Sequence, residues 1–280
     1  MKKIIWISSY PKSGNTWLRF VLANYFYNID NQDSDLNILD KIDKFPPYDL
    51  LKNMANEEYL INNPYNVSSY WNIIQKKITT EIKEPFVFFK NHNALVKIGN
   101  YELTNQLYSL AAIYLVRDPR DVLASYLKFD KTLHKQQVID RLTNEKLYCH
   151  VSKKNIFDIE VLGSWKFNYI SWRDGVSEVP KIIIKYEDLL NDPFNTFKKI
   201  FVFILKIINE DLNLEKLNFS IKQASFDRLQ KLENKFGFKE SPHKFFNSGK
   251  SNNWENILNK KEISFINNSF KNEMSELEYI

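Results

Sequence analysis

Lys12, Ser13, Gly14 and Thr16 fall between a short apolar run, Ile4–Ser9, and an amphipathic stretch that opens at Thr16. Where a strand feeds a helix N-terminus, free backbone N–H groups and the helix dipole favour an anion. Gly14 permits a tight turn, Ser13 and Thr16 bring hydroxyl donors, and Lys12 brings a full charge on a mobile stem. The pattern is not a Walker A motif, whose lysine follows its second glycine; here the lysine precedes the segment's only glycine. An ordinary βα turn with a solvent-facing lysine would use the same residue types, so this segment alone leaves both readings open. A second cluster repeats the layout: Ala111–Val116 runs into Arg117-Asp118-Pro119-Arg120-Asp121 and a helix with Ser125 two turns in. The chain holds 33 lysines and 6 arginines, so two arginines at this turn run against its own bias. A planar guanidinium fork suits bidentate phosphate recognition, and Arg117 at the strand end is the candidate; Arg120 and Asp121 read as surface ion-pair partners.

The elements that position these groups follow from short apolar runs at Lys3–Ser8, Pro85–Lys90, Ala111–Val116 and Lys181–Tyr186. Mostly non-alternating runs of this kind are strands buried on both faces, hence a parallel sheet. Helical periodicity marks Thr16–Tyr27, Pro119–Phe129, 158–176 and Phe194–Ile208, while residues 28–65 and 130–157 read as polar loops or lids. Trp165, Tyr169 and Trp172 read as core stripe. The expected fold class is α/β, an open, mainly parallel sheet covered by helices on both faces. A length of 280 residues suits a single domain over 1–280. Six glycines exclude a glycine-rich dinucleotide loop, and the lone Cys149 excludes internal disulfides and cysteine zinc clusters. No carboxylate cluster has metal spacing, so no metal is expected. The net charge of +5 comes from lysines scattered among acidic residues, which argues against a nucleic-acid partner. The apolar opening is too short for a signal peptide and no run approaches a membrane span, so a cytoplasmic protein without membrane association is expected.

With both clusters in place, the chain resembles, nearly end to end, the sulfotransferases that use 3′-phosphoadenylyl sulfate (PAPS). Tyr10-Pro11-Lys12-Ser13-Gly14-Asn15-Thr16-Trp17 is similar to the family's 5′-phosphosulfate loop, and Arg117 through Ser125 to its 3′-phosphate segment. Lys90-Asn91-His92 resembles the lysine–x–histidine that carries the base. Lys185-Tyr186-Glu187-Asp188-Leu189 resembles the segment whose tyrosine approaches the adenine, and Ala224-Ser225-Phe226 the stretch that closes over the base. Gly249 to Trp254 keeps the glycine-to-tryptophan spacing of the C-terminal loop on the 3′-phosphate. Asn247 and Ser248 stand where the family usually has Arg-Lys, which makes Lys250 and Lys244 candidate replacements for the lost charge.

The resemblance implies a P-loop-like nucleotide-binding sulfotransferase fold, PAPS as donor co-substrate and a small-molecule acceptor: an alcohol, phenol, amine or sugar. It assigns catalysis to Lys12, Lys90 and His92, with His92 as base and Lys12 as the charge on the leaving phosphate oxygen. Donor binding falls to Lys12, Ser13, Gly14, Asn15, Thr16, Trp17, Arg117, Ser125, Tyr186, Ser225, Phe226, Gly249 and Lys250. The competing classes are a P-loop-type nucleotide kinase and a family member that binds the nucleotide but transfers weakly. Tyr65, Tyr70, Trp71, Phe86, Phe88 and Tyr148 suit either an apolar acceptor pocket or core packing. The oligomeric state has no sequence signal.

Overall fold

The computed structural model describes residues 2–144, 149–152 (backbone only), 155–175, 178–241, 244–246, 249 and 251–280. The chain runs β1 (Ile4–Ser9), α1 (Asn15–Tyr27), β2 (Asp43–Lys44), α2 (Tyr48–Met54), α3 (Glu57–Asn62) and α4 (Ser68–Glu81). Next come β3 (Val87–Asn91), β4 (Lys97–Ile98), β5 (Tyr101–Glu102), β6 (Ser109–Val116), α5 (Pro119–Phe129) and α6 (Lys135–Thr143). The hairpin β7 (Cys149–Ser152) and β8 (Asn155–Val161) precedes α7 (Trp165–Asp174), β9 (Lys181–Lys185), α8 (Tyr186–Asn191) and α9 (Pro193–Ile208). The last helices are α10 (Leu214–Gln223), α11 (Phe226–Phe236), α12 (Lys260–Ser269) and α13 (Lys271–Glu276). No helix among the described residues is long and apolar enough to cross a membrane.

Two compact units divide the chain. The first comprises Met1–Pro11, Asp43–Tyr114 and Thr143–Ile183. It is built on the open, parallel sheet β2-β3-β1-β6-β9. All six residues of β1 are buried, as a strand covered on both faces requires. Fully burying Ile4, Ile5 and Ile7 contributes about 1.5–3 kcal/mol each before the entropy of ordering them is counted. Parallel register sets Ile4 beside Val87 and Ser8 beside Asn91, so β1 and β3 end level. On β6, Tyr114 meets α7: its hydroxyl donates to Asn168 Oδ1 (2.8 Å), and its ring lies 6.1 Å from Trp172 and 6.2 Å from Tyr169. Trp165, Tyr169 and Trp172 are therefore core, as their spacing suggests. Trp71 and Phe88 are fully buried as well, which leaves Tyr65, Tyr70 and Phe86 as the partly exposed aromatics of that group; Tyr148 lies outside the described residues.

The second unit comprises Lys12–Ile42, Leu115–Leu142 and Ile184–Ile280. Here α1 packs on α9, with Trp17 5.5 Å from Phe197 and Tyr25 4.4 Å from Phe201. The start of α5 is fixed by Asp118, whose carboxylate accepts the Arg120 N–H, and by Pro119 in the first turn. Asp192 and Pro193 do the same for α9.

Two expectations are corrected. Residues 158–176 are not one helix: β8 runs to Val161, Gly163 turns the chain at φ 66°, and Ser164 caps α7 by accepting the Phe167 N–H. The regions 28–65 and 130–157 hold α2, α3, α6, β2 and β7, elements too short for their periodicity to rise above a polar composition.

Candidate active site

The candidates fall into two groups, each within one unit. In the second unit, the loop entering α1 is bent by two residues in the left-handed region, Lys12 (φ 70°) and Gly14 (φ 97°). Gly14 is the N-cap; its carbonyl accepts the Trp17 and Leu18 N–H groups (3.0 and 3.3 Å), and α1 has no side-chain cap, so its N-terminus is open to an anion. A Cβ at Gly14 would lie 2.4 Å from the Tyr186 ring, so the backbone here touches an aromatic face that only glycine admits. Ser13 Oγ and Trp17 Nε1 are buried polar atoms with no partner among the described residues. Such groups call for a ligand or water to complete them, and a phosphate-bearing ligand fits the loop's hydroxyl, amides and cation. Asn15 and Thr16 are buried in the first turn of α1.

Arg117 joins this loop. Its Nη1 donates to the Lys12 carbonyl (3.1 Å) and its guanidinium stacks 4.3 Å from the Tyr186 ring, while Trp17 approaches the same tyrosine edge-on at 6.1 Å. Burial pushes the Tyr186 hydroxyl up, so it stays protonated. The Lys12 ammonium lies over Phe129 at 3.6 Å and Phe245 at 4.5 Å, two rings that meet edge-on.

Ser125 is placed by α5. Asp121, Ser125 and Phe129 succeed one another at four-residue steps and so share a face. Phe129 carries Lys12, and Asp121 accepts the backbone N–H groups of Asn252 (2.7 Å) and Trp254 (3.3 Å). Ser125 thus stands between the lysine and the C-terminal loop. Burial raises the Asp121 carboxyl above its ordinary value, against the Arg117 charge and the two amides that pull it down. Sequence reasoning missed this role because the carboxylate's partners lie far along the chain. Arg120 is no surface residue either: it is buried, paired with Asp118 at 2.6 Å, stacked 4.2 Å from Trp254 and donating to the Tyr279 carbonyl at 2.8 Å.

Ser225 precedes α11 and Phe226 opens it; a Cβ at Gly249 (φ 55°) would lie 2.5 Å from the Phe226 ring. These two residues are therefore in contact, as Gly14 and Tyr186 are. Lys250, Asn247 and Ser248 lie outside the described residues, as does His243.

In the first unit, level strand ends bring His92 to Ser9. The imidazole Nδ1 lies 2.8 Å from the Ser9 carbonyl and 3.2 Å from its Oγ. A carbonyl only accepts, so Nδ1 carries the proton and Nε2 is left with the basic lone pair. The backbone is pinned too, with Asn168 Nδ2 donating to the His92 carbonyl (3.0 Å). Burial lowers the His92 pKa to about 4; Glu160 opposes that, and Lys90 and Lys44 add to it. The ring is neutral, in its base form, at neutral pH. Lys90 is half-buried on β3, and its carbonyl accepts the Phe45 N–H (2.9 Å). His134 is exposed.

A sulfotransferase domain model matches residues 2–278. The amine sulfotransferase of Oryctolagus cuniculus is 22% identical, over 97% of this chain and 81% of that one. The flavonol 3-sulfotransferase of Flaveria bidentis is 25% identical, over 94% and 78%. Among solved structures, retinol dehydratase in complex with androsterone and the inactive cofactor PAP superposes with a TM-score of 0.63 at 16% identity, covering 97% of this chain and 80% of that one, a likeness of fold. Matched over almost its whole length, the chain belongs to the sulfotransferase domain family, the PAPS-dependent sulfotransferases its motifs resemble.

Proposed function

We propose that residues 1–280 act as one cytoplasmic sulfotransferase domain that moves a sulfuryl group from PAPS to a hydroxyl or amine of a small molecule. The observation that carries this reading is the Lys12–Trp17 loop. It has a helix N-terminus without a side-chain cap, a buried Ser13 hydroxyl without a partner among the described residues, and Arg117 docked on the Lys12 carbonyl. The amine and flavonol relatives support a small acceptor; alcohols, phenols, amines and sugars are the class to screen.

Bound PAPS supplies the activated group: its sulfur–oxygen bond to the 5′-phosphate breaks as a bond to the acceptor oxygen or nitrogen forms, and the electron pair leaves with that phosphate oxygen. The chain's residues do the rest. His92 Nε2 receives the acceptor's proton, since its tautomer is set by Ser9. Lys12, the loop amides and the α1 dipole offset the charge on the leaving oxygen, and Lys90 faces the sulfonate. Ser13, Gly14, Asn15, Thr16 and Trp17 cradle the 5′ end. Arg117, Ser125, Gly249 and Lys250 hold the 3′-phosphate, and Tyr186, Ser225 and Phe226 pack on the adenine.

Calorimetry with 3′,5′-adenosine bisphosphate (PAP), without magnesium, tests the donor site. Saturable binding of PAP, with none of ATP plus magnesium, is expected. Preference for magnesium ATP would favour a kinase and overturn the reading.

A further inference from the structure

A charged group near His92, Glu160, has no part in the bond-making steps of the transfer. Glu160 stands near the end of β8, and its neighbour Val161 is stitched to the segment after β3. The Val161 N–H donates to Asn93 Oδ1 (2.6 Å), and the Ala94 N–H donates to the Val161 carbonyl (2.8 Å). That pairing sets Glu160 alongside His92. Its side chain is only 8% exposed, and a carboxylate so enclosed is costly unless paired. Lys44 on β2 pairs with it at 2.9 Å and also with Asp158, two residues earlier on β8. One ammonium thus serves two carboxylates at this edge of the sheet. Lys44 itself is held in register with Lys90.

The groups facing His92 are then the Ser9 carbonyl at the end of β1, Lys90 on β3, Lys44 on β2 and Glu160 on β8. Glu160 is held down to about 2, chiefly by Lys44 with help from His92 and Lys90 against the cost of burial, so it is ionised at any working pH. It is the acidic group among them, and with the Ser9 carbonyl it favours the protonated imidazole, against Lys90 and Lys44.

We propose that Glu160 is a positioning residue for the transfer: its carboxylate offsets the positive charge that His92 acquires on taking the acceptor's proton, and Lys44 with Asp158 sets how much of that charge reaches the ring. This rests on the reading of His92 as the base. The proton stops on Nε2, and Glu160 takes none. A purely structural ion pair would hold β2 to β8 and leave the pH dependence of turnover alone.

The test compares Glu160→Gln, Glu160→Asp and Lys44→Gln in the full chain, measuring turnover against pH with labelled PAPS and an acceptor that the wild type sulfonates, and PAP affinity by calorimetry. In Glu160→Gln, turnover at pH 7 falls about tenfold, the change for one pKa unit, and the acid limb of the profile moves to lower pH. Glu160→Asp restores most of the rate. Lys44→Gln moves the acid limb the other way, and PAP affinity is unchanged throughout. Acid limbs fixed at the wild-type position overturn the proposal, whatever happens to the rates. If Glu160→Gln does not fold, Lys44→Gln and Glu160→Asp decide by the same criterion. Failure of the base reading is distinct: His92→Ala would then turn over within twofold of wild type.

Discussion

Two side chains show how much chemistry depends on what their neighbours permit. His92 has its tautomer fixed by a main-chain carbonyl, so its free nitrogen is the one that can take a proton. Arg117 presents a planar fork held by stacking on Tyr186 and by the Lys12 carbonyl. Lysine has neither the plane nor the fork, so Arg117→Lys should weaken PAP binding about tenfold with little change in thermal stability, read by calorimetry and a melting curve. Gly14→Ala is a harsher change, because it combines a positive φ with a Cβ 2.4 Å from the Tyr186 ring. PAP binding should fall by more than tenfold, in line with strain of about 1–3 kcal/mol; near-native affinity would mean that the ring yields. Residue type and position marked Lys12, Gly14 and Arg117 as candidates but left an ordinary βα turn open for the first two. Glu160 was not, since no spacing in the sequence links a carboxylate at 160 to a histidine at 92.

At the scale of elements, α5 acts as a ruler. Its Asp121, Ser125 and Phe129 lie one turn apart, with the amides of Asn252 and Trp254 on the first and the Lys12 ammonium on the last. Hydrogen bonds to a charged acceptor contribute about 1.5–3 kcal/mol each. Asp121→Ala should therefore raise the PAP dissociation constant 10- to 100-fold while the helix, capped by Asp118, remains; circular dichroism and calorimetry check the two halves of that statement. The start of α5 was legible because Asp118-Pro119 is a strong helix opening. Its function as a ruler was not, because an aspartate beside an arginine reads locally as an ion pair. The boundary between β8 and α7 failed for a different reason. Asp158-Ile159-Glu160-Val161-Leu162 satisfies both periods, and Gly163 was the break signal that should have divided them.

For the whole molecule, the buried polar groups around His92 tie stability to pH. His92 has a folded pKa of about 4 against an ordinary 6.5, so the unfolded chain binds the proton more readily between those values. Its contribution is complete above pH 6.5 and is lost as pH falls toward 4, on the order of 2 kcal/mol by pH 5. Glu160, held at about 2 against 4.5, adds a loss in the next window down, from 4.5 to 2. Urea unfolding at pH 7 and pH 5 should show the first loss, and His92→Gln should flatten it; an unchanged dependence would mean that the ring is solvated. The α/β class and its parallel sheet were legible in the apolar runs, whereas the short elements of 28–65 and 130–157 lacked the length to declare themselves. The central claim is sulfuryl transfer, and its most direct measurement follows the label from [35S]PAPS into a panel of phenols, alcohols, amines and sugars. The account predicts that at least one acceptor is labelled by the wild type, with labelling reduced roughly 100-fold or more in His92→Ala and in Lys12→Ala. Tight PAP binding with no acceptor labelled, or equal labelling by the wild type and both variants, would contradict it.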